Sequence, residues 1–333
     1  MTTLSKERLQ RNQIAVYAVA VAAAIVVGLG RPTTGPHLEA FLNPVIAALL
    51  YVTFLEIPFV RFRRAFTNGR FVAAALGMNF LVVPVVVWGL LGFLPAEPAI
   101  VVGALMVLLT PCIDYVIAFT DIAGGNAEQV TATTPALLFV QLLLLPVYLR
   151  LFVGPGVAAV IEVGPFLEAF AVLIALPLTL AWLTQLWAER AEAGRRWDST
   201  MGWLPVPMMG LTLFVVIASQ LPRVWSSIDR LVAVVPVYVA FLLVMPLLGR
   251  LVAGALGMDT GESRALVFTS VTRNSLVVLP LALALPEAYR LAPGVVVTQT
   301  LVELVGMVVL TRVVPRWLLS GPGASAGTDS AEG

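Results

Sequence analysis

Apolar residues run along this 333-residue chain in long stretches that short polar turns separate. Each stretch is long enough to cross the roughly 30 Å hydrocarbon core of a bilayer as a helix. The turns between them carry the Gly, Pro and Asn residues that end helices, as in RPTTGP, TNG, AGGN and VGPG. The pattern predicts an all-α membrane protein with ten transmembrane helices, at approximately residues 12–30, 42–60, 71–94, 98–120, 131–153, 165–187, 202–221, 231–256, 264–286 and 293–318.

The composition supports a membrane protein and argues against an enzyme. Hydrophobic residues make up 59% of the chain, charged residues 12%, and the mean hydropathy is +0.96. Soluble domains carry about 25% charged residues. No motif for nucleotide binding, metal binding or nucleophilic catalysis is present, so we expect no cofactor and no nucleic-acid partner. The single cysteine excludes an intrachain disulfide.

The distribution of Lys and Arg predicts the orientation in the cell membrane. With residues 1–11 in the cytoplasm as an N-terminal segment, basic residues in the cytoplasmic segments far outnumber those in the outside loops. The tail at 319–333 lacks apolar residues, and we expect it to be disordered on the cytoplasmic side. Both termini are therefore predicted to be cytoplasmic. Arg273 is the one basic residue in the middle of a predicted span.

The two halves of the chain are related by an internal repeat. Adding 162 to a position in the first half carries Pro111 to Arg273, Cys112 to Asn274 and Gln141 to Glu303. The repeats would cover residues 12–153 and 165–318, with five spans each. An odd number of spans places the second copy upside down in the membrane, which gives a 5+5 inverted-topology repeat of the kind that builds secondary transporters.

Two predicted spans contain residues that interrupt helices. In the fourth span, Thr110 and Pro111 mark a break, because proline removes a backbone donor and clashes with the preceding turn. In the ninth span, the polar run from Thr272 to Ser275 supplies side chains that replace lost helix bonds. We expect these two discontinuous helices to cross at mid-membrane, where such folds bind substrate and coupling ion.

The polar residues near these breaks are the candidate site. Asp114 and Glu303 are costly at mid-membrane unless they are paired, protonated or hydrated, which makes them candidates for proton coupling. A purely structural alternative is an ion pair between Asp114 and Arg273 that locks the two helices. Cys112 is the candidate soft ligand, although a lone cysteine in a helix is also a common apolar filler. Interhelical hydrogen bonding is the expected role of four amides within the predicted spans, Gln141, Asn79, Gln220 and Gln299.

These residues resemble a known family. The TPC sequence in the fourth span, the Asn-Ser pair in the ninth and the single Glu in the tenth resemble the arsenite permeases of the bile acid/arsenite/riboflavin transporter superfamily. The resemblance covers about residues 12–318. It implies a bile-acid-symporter-like fold, with a core domain holding two crossing discontinuous helices and a panel domain beside it. It also implies that Cys112 and Glu303 are the functional cysteine and glutamate of a proton-coupled exporter of arsenite or antimonite.

The residue types suit that chemistry. Trivalent arsenic is soft, so sulfur is its natural ligand, and one thiol binds more exchangeably than a cage of three. Asn274 and Ser275 complete the predicted substrate site with Arg273, whose charge would favour the reactive thiolate. Glu303 would carry the proton inward as substrate moves out.

Two other functions remain open at this stage. The first is symport of an organic anion, with the guanidinium of Arg273 as an anion clamp and the thiol of Cys112 incidental. The second is a receptor that uses a transporter fold without flux. A fixed guanidinium near the crossing would repel sodium, which favours protons as the coupling ion. The sequence leaves the oligomeric state open.

Overall fold

A computed structural model describes residues 12–56 except 32 and 34, residues 69–153 except 114, and residues 168 and 171–321. Within these ranges the chain is helical apart from turns and one isolated two-residue β-bridge. The predicted cytoplasmic segment 1–11 and the predicted tail beyond 321 lie outside the described residues.

The helices follow the predicted apolar stretches closely. The first part of the chain forms α1 (Gln13–Gly30), α2 (Gly35–Glu39), α3 (Leu42–Glu56), α4 (Gly69–Leu91), α5 (Pro98–Leu108), α6 (Tyr115–Ile122) and α7 (Ala127–Val153). The rest forms α8 (Ala171–Arg190), α9 (Glu192–Met201), α10 (Pro205–Ser226), α11 (Ile228–Val232), α12 (Val235–Ala255), α13 (Thr260–Val271), α14 (Ser275–Leu283) and α15 (Ala292–Val313). A π-helical turn at Met78–Val82 interrupts α4, and another, Val314–Leu318, extends α15.

Several of these helices meet the length and hydropathy of membrane spans. Among the described residues, six helical stretches are long and apolar enough to cross a bilayer, and a seventh qualifies if α9 and the following helix, which meet at 46°, form one bent span. The helix α1 and the half-helix α5 are apolar but shorter. The chain is therefore a multi-pass, helical membrane protein.

The helices form two groups that pack side by side. In one group, α1, α3, α8 and α10 contact one another. In the other, α4, α6, α7, α12 and α15 pack around the short helices α5, α13 and α14, whose residues are almost entirely buried. The groups meet where α10 contacts α15 and where α3 contacts α14. The most buried part of the fold thus holds the polar residues near the predicted breaks.

A close approach between backbones fixes the first of these half-helices. A Cβ placed on Gly103 of α5 would lie 2.8 Å from the carbonyl oxygen of Ala292, at the start of α15. Real Cβ atoms do not approach an oxygen so closely, so only glycine fits this contact. It seats α5 against the helix that carries Glu303.

Candidate functional site

Two interrupted helices meet at the centre of the second group. Helix α5 ends at Leu108 and the chain resumes as α6 at Tyr115, whereas α13 ends at Val271 and α14 begins at Ser275. Between them, the extended residues Pro111 and Arg273 form an antiparallel bridge. The Cys112 N–H donates to the Thr272 carbonyl at 3.1 Å, and the Asn274 N–H donates to the Thr110 carbonyl at 2.8 Å. The breaks therefore satisfy each other's backbone groups, as a bilayer interior requires.

A threonine closes the last turn before each break. The Thr110 hydroxyl donates to the Met106 carbonyl at 2.6 Å, and the Thr272 hydroxyl donates to the Phe268 carbonyl at 2.8 Å. Both bonds reach back four residues. The Met106 carbonyl has no N–H from residue 110, which bonds to Val107 instead, whereas the Phe268 carbonyl accepts the Thr272 N–H at 3.1 Å as well as its hydroxyl. These two threonines are also 162 positions apart, the same offset that relates Pro111 to Arg273.

Three of the four predicted substrate ligands, Cys112, Asn274 and Ser275, lie along the crossing. Cys112 is fully buried, with its backbone N–H bound to the Thr272 carbonyl. The Asn274 Oδ1 accepts from the Val277 N–H at 3.1 Å and so caps α14. Its Nδ2 and the Ser275 hydroxyl are buried and have no protein partner among the described residues. Unsatisfied buried donors cost about 1–3 kcal/mol each, which makes these two groups available to a ligand.

Glu303 of α15 contacts the crossing. Its side chain is 1% exposed. The Arg273 N–H donates to both carboxylate oxygens, at 3.1 and 3.0 Å, and the Gln299 amide, one turn earlier on α15, donates to Oε2. A third donor is the Tyr115 hydroxyl, at 2.7 Å from Oε1. The carboxyl group thus binds the break itself through a backbone N–H.

Tyr115 was not predicted as a site residue, and its hydroxyl has two acceptors. The hydroxyl lies 2.7 Å from Glu303 Oε1 and 2.8 Å from the Arg273 carbonyl oxygen. A phenol has one proton and therefore donates to only one of them at a time. Its position as the first residue of α6, directly after the break, was the available signal, but the surrounding apolar run concealed it.

The contacts of the Arg273 side chain do not favour a role in substrate binding. It is completely buried and is the largest fully buried side chain among the described residues. Its Nη1 donates to the Leu108 carbonyl at 3.3 Å. Its Nη2 donates to Asn79 Oδ1 at 2.8 Å and to the carbonyls of two residues in the last turn of α13, Thr269 at 3.1 Å and Ser270 at 2.7 Å. The guanidinium is thus bonded to oxygens of the protein.

The remaining predicted residues are placed as follows. Asp114 lies outside the described residues, and with it the predicted ion pair to Arg273. Gln141 is 1% exposed, and neither atom of its amide has a hydrogen-bond partner in the described part of the protein. In the same part of the chain, no group of three or more His, Cys, Asp or Glu side chains is close enough to hold a metal ion.

A small cavity lies between the two helix groups, next to the crossing. Its volume is about 10 Å³, enough for roughly one water molecule. Tyr17, Met209 and Leu213 line it from the first group, and Tyr115, Ser275, Leu276, Thr300 and Leu304 line it from the second. The cavity thus touches the unpartnered Ser275 hydroxyl and the ring whose hydroxyl binds Glu303.

A buried crossing of two interrupted helices in an apolar bundle is typical of secondary membrane transporters. Comparison with known proteins identifies the family: residues 43–227 match the sodium bile acid symporter family, and the chain belongs to it. It is therefore a membrane transporter and not an enzyme. It is also 22% identical, over 77% of its length and 75% of the relative's, to the arsenical-resistance protein Acr3 of Corynebacterium glutamicum. The resemblance to the arsenite permeases of this superfamily is confirmed.

Proposed function

We propose that this protein exports arsenite or antimonite across the cell membrane in exchange for protons, with Cys112 as the soft ligand and Glu303 as the proton-carrying carboxyl. The observation that supports it best is the crossing, because one backbone bridge joins the cysteine segment to the segment bound by the carboxyl. The similarity to an arsenical-resistance protein supports the substrate.

The proposed architecture has ten transmembrane helices in two inverted repeats, at residues 12–153 and 165–318, with both termini in the cytoplasm. Its fourth and ninth helices are the discontinuous ones. Three pairs related by the offset of 162 support the repeat. Pro111 and Arg273 are bridged, and Thr110 and Thr272 make the same hydrogen bond. In the third pair, Gln141 of the first repeat is equivalent to Glu303 of the second.

The repeat accounts for the difference between Gln141 and Glu303. Glu303 accepts the N–H of Arg273 at the second break. The equivalent residue of the first break is Pro111, which has no N–H to donate. A carboxylate at position 141 would lack that donor, and a neutral amide costs less there than a charge. At this pair of equivalent positions, the second half of the fold therefore has an ionisable group and the first half does not.

The hydrogen bonds around Glu303 suit both protonation states. When the carboxyl is ionised, the Tyr115 hydroxyl donates to Oε1 at 2.7 Å. When the carboxyl is protonated, its O–H donates to the Tyr115 oxygen, and the phenol proton turns to the Arg273 carbonyl at 2.8 Å. The phenol proton and the carboxyl proton therefore each have an acceptor in either state. A group that gains and loses a proton during transport needs this property.

The substrate is proposed to bind at the thiol with help from the crossing. Arsenite is uncharged at neutral pH, so its hydroxyls need hydrogen-bond partners and its arsenic needs a soft ligand. The unpartnered donors of Asn274 and Ser275 can hydrogen-bond the hydroxyls, and the thiol of Cys112 is the soft ligand for arsenic. A cavity of about 10 Å³ is too small for the solute, so loading requires the two helix groups to separate next to Ser275.

The organic-anion alternative has less support. An anion clamp requires guanidinium N–H groups that face the solute. Nη2 of Arg273 instead has three oxygens of the protein within 3.1 Å, and the side chain is completely buried.

Replacing the sulfur of Cys112 by oxygen tests the proposal. In a host that lacks its own arsenite exporters, Cys112→Ser is expected to lower the tolerated arsenite concentration by about tenfold, the effect of losing about 1.4 kcal/mol of ligand binding. Thr120→Ser is the matched control, because it alters a buried side chain in the same interrupted span and leaves the thiol in place. Equal resistance of Cys112→Ser and the wild type would show that the thiol only fills space.

A further inference from the structure

Four oxygens converge on the Arg273 guanidinium. They are the carbonyl oxygens of Leu108, Thr269 and Ser270 and the side-chain Oδ1 of Asn79, at 2.7 to 3.3 Å from Nη1 or Nη2. We call these four atoms the oxygen cage. The ring of Phe241 closes another side, with its centroid 5.4 Å from the guanidinium carbon.

The oxygen cage is built from special positions of the backbone. Leu108 is the last residue of α5, and Thr269 and Ser270 lie in the last turn of α13, so their carbonyls lack helical partners. Asn79 lies in the π-helical turn of α4. Its Nδ2 donates to the Ala75 carbonyl at 2.9 Å, which turns Oδ1 toward the cage. Three of the four oxygens are thus backbone carbonyls at helix ends, and the fourth belongs to a side chain that also bonds to its own helix.

Within the described part of the protein, uncharged oxygens accept all the hydrogen bonds that this guanidinium donates. Among the described residues, no carboxylate lies within ion-pair distance of the guanidinium. The negative ends of the two half-helix dipoles and the aromatic face stabilise its charge. The Glu303 carboxylate, which accepts the backbone N–H of the same residue, also does so from beyond ion-pair distance. Unwound carbonyls and half-helix C-termini are the groups with which secondary transporters bind a small coupling cation.

We propose that the Arg273 guanidinium is a tethered substitute for a monovalent cation. It permanently fills a site that, without the side chain, binds sodium. Oxygen ligands of this kind suit a hard cation. This inference goes beyond the proposed arsenite export, because it concerns a cation site and holds for any transported solute.

The proposal has a consequence for coupling. A sodium ion that binds and leaves ties a solute to the sodium gradient, whereas a tethered guanidinium cannot leave. The oxygen cage then holds the two half-helix ends together in every state of the protein. Transport is therefore not coupled to sodium through the oxygen cage.

Thermal unfolding of the purified full-length protein tests the proposal without any substrate. The seven tryptophans provide an intrinsic fluorescence signal. We expect the wild type to have the same Tm in sodium chloride and in choline chloride at equal ionic strength. We expect Arg273→Ala to unfold at a lower temperature, and saturating sodium to raise its Tm by about 3 °C over choline. Low concentrations of guanidinium should restore stability in the same way.

The chain offers a matched control. Arg264 is 4% exposed and also donates to backbone carbonyls, those of Gly124, Leu319 and Gly321. Arg264→Ala removes a buried guanidinium of similar bonding outside the oxygen cage, so its Tm should fall without a sodium-specific recovery. Adding Asn79→Leu to Arg273→Ala removes one cage oxygen and should reduce the sodium effect severalfold.

Three results would overturn the proposal. One is a saturable sodium stabilisation of the wild type, which would mean that the cage is open to cations. Another is a response of Arg273→Ala to sodium no larger than that of Arg264→Ala. The third is a failure to fold: neither Arg273→Ala nor Arg273→Gln is recovered folded in sodium-containing buffer, whereas Arg264→Ala is. That result would mean that a free cation does not replace the guanidinium.

Discussion

Replacing Glu303 by glutamine separates the proton-carrying role of this carboxyl from its structural role. The side chain keeps its shape and stays neutral at every pH. The remaining amide oxygen can accept from the Arg273 N–H and the Tyr115 hydroxyl, as Oε1 does now. The new NH₂ group would face the amide of Gln299, whose Oε1 has no partner among the described residues and can turn to accept it.

The structure therefore predicts a small loss of stability. The bonds from three donors to a charged group become bonds between neutral groups. Each changes from about 1.5–3 kcal/mol to about 0.5–1.5 kcal/mol, and removing the desolvation cost of a buried charge offsets much of the difference. We expect a net change within about 2 kcal/mol and a folded protein. Transport driven by a proton gradient should in contrast be abolished, because position 303 no longer binds or releases a proton.

Everted membrane vesicles provide the assay. Acidifying the vesicle interior should drive arsenite accumulation by the wild type, because protons leave as arsenite enters. Glu303→Gln should show no response to the imposed gradient at equal protein level. The reasoning fails if Glu303→Gln accumulates arsenite as well as the wild type and still responds to the pH gradient.

Two further predictions concern groups next to this carboxyl. Tyr115→Phe keeps the ring and removes one donor from ionised Glu303, so the pH optimum of arsenite transport in the vesicles should move to more alkaline values; an unchanged profile would mean that the hydroxyl has no part in proton binding. Gly103→Ala places a methyl group 2.8 Å from the Ala292 carbonyl oxygen and should lower the free energy of unfolding by about 1–3 kcal/mol, measured by thermal unfolding. The control Gly89→Ala lies at an open position and should stay within about 0.5 kcal/mol of wild type.

Much of the fold could be predicted because apolar length and proline placement are local signals. The runs around residues 71–94 and 231–256 correspond to helices Gly69–Leu91 and Val235–Ala255. The internal offset of 162 also pointed to Pro111 and Arg273, the two residues that form the bridge. Local rules suffice there, since a helix break depends on the residues at the break.

The contacts of the site were harder to predict because they join distant parts of the chain. The sequence suggested that Arg273 would face a thiolate or an anion, whereas its guanidinium binds carbonyls at two helix ends. Carbonyl oxygens exist at every position, so no residue pattern marks which ones are exposed at a break. Tyr115 was missed for a related reason: the acceptor of its hydroxyl, Glu303, lies 188 residues away.

Arsenic K-edge X-ray absorption on the purified protein loaded with arsenite tests most directly whether the lone thiol is the ligand. The account predicts one sulfur neighbour and oxygen neighbours around arsenic in the wild type, and oxygen alone in Cys112→Ser. A wild-type spectrum with only oxygen around the bound arsenic would contradict it, because the soft ligand at the crossing would then take no part in binding.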